Sequence, residues 1–306
     1  ESELMYNHKT KKNAMVYCKK IAETHLYLLK SVEILNNIGI LHLDLKHNNI
    51  MFDEIRGVPM IIDFGLSYDA KHLDIPGYIK EESKPFGICV PFYIPWTIET
   101  VLLSYLAQEL QGKGSHINEE KLKMPFNKQS MFQELCDQYV KKHGLLQSKK
   151  LFTEEEKVEY KKMLHKWVES WKEKTWRDVW VLLSNSHKTW DNYSLCALYL
   201  IEMQISGLLQ ISNIHEDEQN SFLKKYVLVL KKEMLAKPNE RSLPEITRKE
   251  LHSIFSQANK MEYKNTMEKF KKLLSENKTK IKKERLSYNM DTMQEEKALY
   301  KKYNKH

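Results

Sequence analysis

The chain has 306 residues, 42% hydrophobic and 29% charged, which is enough apolar content for a sizeable core and excludes wholesale disorder. Nine glycines and eight prolines exclude collagen-like and low-complexity chains and lean toward helix. Lysine plus arginine exceed aspartate plus glutamate by 49 to 41, a formal charge of +8, and 14 basic against 7 acidic residues fall from Lys260 onward, so any attraction to polyanions belongs mainly to that tail.

The chain opens on Glu1-Ser-Glu-Leu-Met, with neither an initiator methionine nor a signal-peptide pattern. Residues 14 to 39 read as one helix: Val16, Ile21, Leu28, Val32 and Leu35 keep a 3.6-residue stripe, and Gly39 is a stop. The stretch from Ile40 to Lys46 has no helical period. Two apolar runs, Asn49-Ile-Met-Phe and Met60-Ile-Ile-Asp, flank Asp53-Glu-Ile-Arg-Gly-Val-Pro, which predicts a β-hairpin. Residues 64 to 98 are irregular and hold four of the eight prolines, and residues 100 to 111 are predicted helical.

From 112 to 189 the chain is polar, lysine-rich and punctuated by tryptophan. Residues 191 to 210 predict an apolar helix buried nearly all round, and 219 to 236 and 245 to 256 two further helices. In the lysine- and glutamate-rich tail, Met267, Phe270, Leu274 and Ile281 keep a loose helical stripe, expected to close on the domain. No internal repeat is present, and no run of about 18 apolar residues could span a membrane. Cys18, Cys89, Cys136 and Cys196 are widely spaced with no CxxC pair, which predicts reduced thiols in a cytoplasmic compartment and no zinc site.

Chemistry concentrates in His42-Leu-Asp-Leu-Lys-His-Asn-Asn-Ile and in Asp63-Phe-Gly. Phosphoryl transfer needs a carboxylate to orient the acceptor hydroxyl, a cation near the moving phosphate and oxygen ligands for Mg²⁺. One loop offers Asp44, Lys46 two residues on and Asn49 three further, and the hairpin returns Asp63 fourteen residues later. Hard oxygen donors with an ammonium group between them suit a magnesium-bound nucleotide.

These blocks resemble the catalytic loop (H-x-D-L-K-x-x-N) and the metal-binding D-F-G of eukaryotic-type serine/threonine protein kinases. Downstream, Asp191-Asn-Tyr-Ser-Leu-Cys is similar to the D-x-[WY]-S-x-G start of that family's buried helix, with Cys196 where glycine is usual. Pro238-Asn-Glu-Arg241 matches the turn whose arginine pairs with the glutamate of A-P-E, here aligned with Glu99 although Ala-Pro is absent. The resemblance covers about residues 14 to 99 and 191 to 256. It implies a mainly α fold, the kinase C-terminal lobe with a short catalytic β-hairpin. It divides the chain into a first part of that lobe (1–111), a Lys/Trp-rich helical insertion (112–190), a second part (191–258) and a basic helical tail (259–306).

The same resemblance implies roles. Asp44 orients the acceptor, Lys46 touches the transferred phosphate, Asn49 and Asp63 hold Mg²⁺, and Met51 floors the adenine of ATP. His42, Phe64 and Asp191 support the site by packing. The implied partner is a protein substrate; no RNA- or DNA-binding motif accompanies the basic tail, so nucleic acid is not expected. Leu43 stands where the family's H-R-D has arginine, which argues against switching by loop phosphorylation. The 36 positions from Asp63 to Glu99 and the 92 from Glu99 to Asp191 are both long for the family. No G-x-G-x-x-G or V-A-I-K-like segment occurs, so the N-terminal lobe is absent; the chain reads as a fragment, inactive alone. Lysine-, asparagine- and isoleucine-rich usage points to an AT-rich genome, such as that of a large DNA virus.

Two rival readings remain: a small-molecule phosphotransferase of the choline or aminoglycoside kind, and a non-catalytic scaffold. The scaffold would use Trp167, Trp171, Trp176 and Trp180 as a docking face; their bland reading is that they pack the insertion onto the lobe.

Overall fold

The computed structural model describes residues 14–74, 86, 93–110, 118–212 and 221–258, with part of 261–273. Among these the chain is mostly helical with four short strands. The first helix, α1 (Ala14–Asn37), ends where the sequence predicts, at a left-handed Gly39 with φ +82°. Its inward face carries Ile21, Leu28, Leu29 and Val32. Two antiparallel ribbons follow. β1 (Ile40–Leu41) pairs with β4 (Tyr68–Asp69), and β2 (Ile50–Asp53) with β3 (Val58–Ile61) in the register Ile50↔Ile61 to Asp53↔Val58. The β2–β3 turn is set by Asp53 Oδ1, which accepts from the N–H groups of Ile55 and Arg56, and by Gly57 at φ +70°.

Helix α2 (Ile98–Leu110) starts two residues earlier than predicted because Thr97 Oγ1 accepts from the Thr100 N–H at 3.3 Å. Among the described residues of the lysine- and tryptophan-rich stretch are four α-helices: α3 (Glu119–Lys123), α4 (Gln129–Lys142), α5 (Glu154–Glu169) and α6 (Trp176–Ser184). The last two begin with capping boxes, Thr153 with Glu156 and Thr175 with Asp178. α4 packs on α5, and α2 on α6. Trp171, Trp176 and Trp180 are fully buried, Trp167 packs edge-on against Trp171 at 4.9 Å, and Trp180 Nε1 donates to the Leu73 carbonyl at 2.8 Å. One apolar cluster contains these side chains together with Leu41, Leu102 and Leu195.

At the centre lies α7 (Trp190–Ile205), where every residue but Gln204 is buried. It contacts α1 and α9 (Phe222–Leu235), which also touches the short α8 (Leu208–Ser212) and α10 (Pro244–Gln257). α10 in turn packs along α1. In the described part of the tail, Phe270 is buried and Leu273 packs against the core; Leu274 and Ile281 lie outside the described residues.

Two of the buried histidines, His25 and His143, are held well below the ordinary imidazole range. His25 stacks on Tyr199 at 3.9 Å and bonds the Tyr226 hydroxyl at 2.9 Å; burial drags it down to about 3. Burial likewise lowers His143 to about 4. In the unfolded chain both take a proton near pH 6.5, while the folded state refuses it until those lower values. The unfolded state therefore binds more protons in that window, and stability falls with pH. We expect a loss of about 2 kcal/mol between pH 6 and pH 5, read by chemical denaturation. The His25→Gln/His143→Gln double variant should flatten the slope; equal slopes would mean that the folded protein accommodates the charge.

Candidate active site

The loop between β1 and β2 is held in an unfavourable backbone state. Leu43 (φ +62°) and Asp63 (φ +60°) are the described non-glycine residues with positive φ. Such a conformation costs on the order of 1–3 kcal/mol and persists only when its surroundings over-determine it. At Leu43 the restraints are visible. Asp191 at the start of α7 accepts the His42 N–H at 2.7 Å and the Leu43 N–H at 2.9 Å, and Trp96 Nε1 donates to the Leu43 carbonyl at 3.0 Å. The Leu43 side chain is buried apolar core. Burial raises Asp191 above the usual carboxylate range, against the two amide bonds that favour its charge.

His42 is fully buried. Its Nε2 lies 3.1 Å from the Ile62 carbonyl, its Nδ1 accepts from the Asp44 N–H at 3.3 Å, and Phe64 sits edge-on to its ring at 4.9 Å. It thus ties the loop to Ile62, the residue before Asp63.

Strain and bracing aim Asp44 at its neighbours. Asp44 Oδ2 accepts from Asn49 Nδ2 at 2.8 Å and lies 3.1 Å from Lys46 Nζ, while Asn49 Nδ2 also donates to the Asp44 carbonyl at 2.9 Å. Asp44 and Asn49 are 5% and 4% exposed, so these contacts are shielded from water. Asp63 arrives by the hairpin: the Ile62 N–H donates to the Asn49 carbonyl at 2.9 Å, extending the β2–β3 ladder by one rung and setting Asp63 next along the chain. Its Oδ1 accepts from the Gly65 N–H at 3.2 Å, and its side chain is exposed. Met51 lies opposite Met60 in the ladder, and both are exposed.

The donor set suits a hard cation. Asn49 spends its amide nitrogen on Asp44, which leaves the carbonyl end for a metal, and Asp63 offers a carboxylate to solvent. Among the described residues no three His, Cys, Asp or Glu side chains converge on one point, so any Mg²⁺ held here takes its remaining oxygens from nucleotide and water.

Sequence reasoning missed Tyr93. Its hydroxyl donates to Asp44 Oδ1 and accepts from Lys46 Nζ at 3.3 Å. Nothing local could have found it, because Tyr93 lies in an irregular segment 49 residues from its partner. The Glu99–Arg241 pair, by contrast, was readable. Arg241 donates to both carboxylate oxygens, at 2.8 and 3.0 Å, with both side chains fully buried, and Ser186 Oγ adds a bond at 2.9 Å. Burial alone would push Glu99 up; the guanidinium outweighs it and holds Glu99 below the usual carboxylate range.

The chain is similar to a serine/threonine protein kinase. Over 192 residues it is 26% identical to the protein named "Probable serine/threonine-protein kinase fnkB" from Dictyostelium discoideum. The match covers 58% of this chain and 36% of that relative, so the chain spans about a third of its length. No family model matches, and no solved structure does. Nothing in this likeness supports a viral source. Among the described residues no helix is long and apolar enough to cross a membrane.

Proposed function

We propose that this chain carries the catalytic loop of an ATP-dependent serine/threonine protein kinase, on the C-terminal lobe of that fold, with residues 112–190 as an addition to it. The observation that carries the reading is the convergence of Lys46 and Asn49 on Asp44 in a strained loop braced by Asp191. Asp44 orients the serine or threonine hydroxyl of a protein substrate and takes its proton. The oxygen bonds to the γ-phosphorus of ATP as the bond to the ADP oxygen breaks. Lys46 offsets charge on the transferred phosphate. Asn49 and Asp63 would hold Mg²⁺, which would neutralise charge on the phosphate oxygens, and Met51 would floor the adenine. The setting is cytoplasmic.

The test uses protein expressed from its complete reading frame, given Mg²⁺ and γ-labelled ATP with serine/threonine peptides, choline and an aminoglycoside in separate arms. Label in peptide serine or threonine supports the proposal. Label in either small molecule makes it a small-molecule phosphotransferase, and label in none makes it a scaffold; both overturn the reading.

A further inference from the structure

The segment that brings Tyr93 to Asp44 is itself gripped from behind, carbonyl by carbonyl. Tyr139, on α4, donates its hydroxyl to the Trp96 carbonyl at 3.1 Å. Ser194, on α7, donates to the Pro95 carbonyl at 2.5 Å. His143, just past the end of α4, places Nε2 3.3 Å from the Ile94 carbonyl. Three consecutive carbonyls between Tyr93 and the start of α2 are thus claimed by buried side chains, and two of the three come from the α4 region.

The hydrogens are ordered by counting. Tyr139 has one proton and gives it to Trp96, so Tyr193 Oη, 2.6 Å away, must be the donor to Tyr139. Tyr193 then accepts from His143 Nε2, at 3.3 Å, which therefore carries hydrogen and shares it with the Ile94 carbonyl. A neutral imidazole meets that demand, and burial keeps His143 neutral. Gly144 completes the approach: a Cβ there would sit 3.3 Å from Ile94 Cδ1.

We propose that Tyr139 and His143 are positioning residues for the Asp44 loop. By fixing the carbonyls of Trp96 and Ile94 they hold the Trp96 indole against the Leu43 carbonyl and the Tyr93 hydroxyl against Asp44. The stretch read as an insertion thereby sets the geometry of Asp44 and selects how an acceptor hydroxyl meets it. The role in catalysis rests on the kinase reading above; the mechanical coupling does not.

The experiment reads the two separately, by amide and indole hydrogen exchange and by steady-state kinetics on the same protein. Tyr139→Phe keeps the ring and removes the hydroxyl. We expect exchange at residues 43 and 44 and at the Trp96 indole to speed up roughly 3- to 10-fold, the worth of one buried hydrogen bond. We also expect kcat for peptide to fall by a similar factor with KM for Mg-ATP unchanged, because Asn49 and Asp63 are not touched. His143→Gln, which can still donate to the Ile94 carbonyl, should restore what His143→Phe loses. Tyr226→Phe, which removes an equally buried hydroxyl that bonds His25 on α1, is the control for general loosening.

If Tyr139→Phe and His143→Phe change exchange at 43–44 and Trp96 no more than Tyr226→Phe does, the proposal is wrong. Faster exchange in a protein that transfers no phosphate to any acceptor would sustain the coupling and overturn only the kinase reading. Faster exchange with unaltered peptide kcat in an active protein would sink the positioning role.

Discussion

Replacing Arg241 with methionine should cost about 3–5 kcal/mol of stability, the largest single loss we expect. The guanidinium and the Glu99 carboxylate are both fully buried and bonded at two points. Removing the cation leaves a carboxylate without water or counter-charge, bonded by Ser186 and its own backbone amide. Arg241 also donates to Thr189 at 3.3 Å and stacks over the Tyr193 ring, so α7 loses a contact as well. Removing both charges is different, because a matched apolar pair needs no desolvation. The Glu99→Leu/Arg241→Met double variant should therefore recover most of the loss. Urea denaturation of the four proteins decides it: a single variant within about 1 kcal/mol of the parent would mean that the pair is hydrated in solution.

Asp44→Asn should lower kcat for phosphoryl transfer by about 10²- to 10⁴-fold, the range for losing a general base. The residues placed around the nucleotide are not themselves substituted, although Asn49 and Lys46 both bond Asp44, so KM for Mg-ATP should change far less than kcat. The change also sets like against like. Whichever way the amide turns, its nitrogen takes one of the two oxygen positions that now accept, Oδ2 from Lys46 Nζ and Asn49 Nδ2 or Oδ1 from the Tyr93 hydroxyl. A modest drop in melting temperature should accompany the lost rate, and kinetics measured well below that temperature keep the two effects apart. Transfer at the parental rate with a native melting curve would remove Asp44 from the role assigned to it.

Much of this was legible in the residues because the informative signals were short and chemical. Gly39 ends α1 and Asp53 with Gly57 turns the hairpin because each solves a local backbone problem that few residues can. The Asp191 brace and the Glu99–Arg241 pair were readable across 148 and 142 residues only through a family resemblance; no periodicity predicts them. What stayed hidden is what packing alone decides. Tyr93, Trp96, Tyr139 and His143 show no pattern in the chain, and their meeting depends on α4 and α7 closing on one irregular segment. The tryptophans carried a stripe that reads equally as a core or as a docking face, and three of the four prove to be core. Cys89 lies outside the described residues.

The distance along the chain between Leu43 and Asp191 also has a consequence in time. At a translation rate of about 5–20 residues per second, the acceptor for the Leu43 amide leaves the ribosome roughly 7 to 30 s after the residue it restrains. Until then the left-handed kink at position 43 lacks its partner from α7, and of the bonds that restrain it only the one from Trp96 can form. A nascent chain arrested before α7 is made would thus display the loop's sequence without its shape, so the site can be set only late in synthesis.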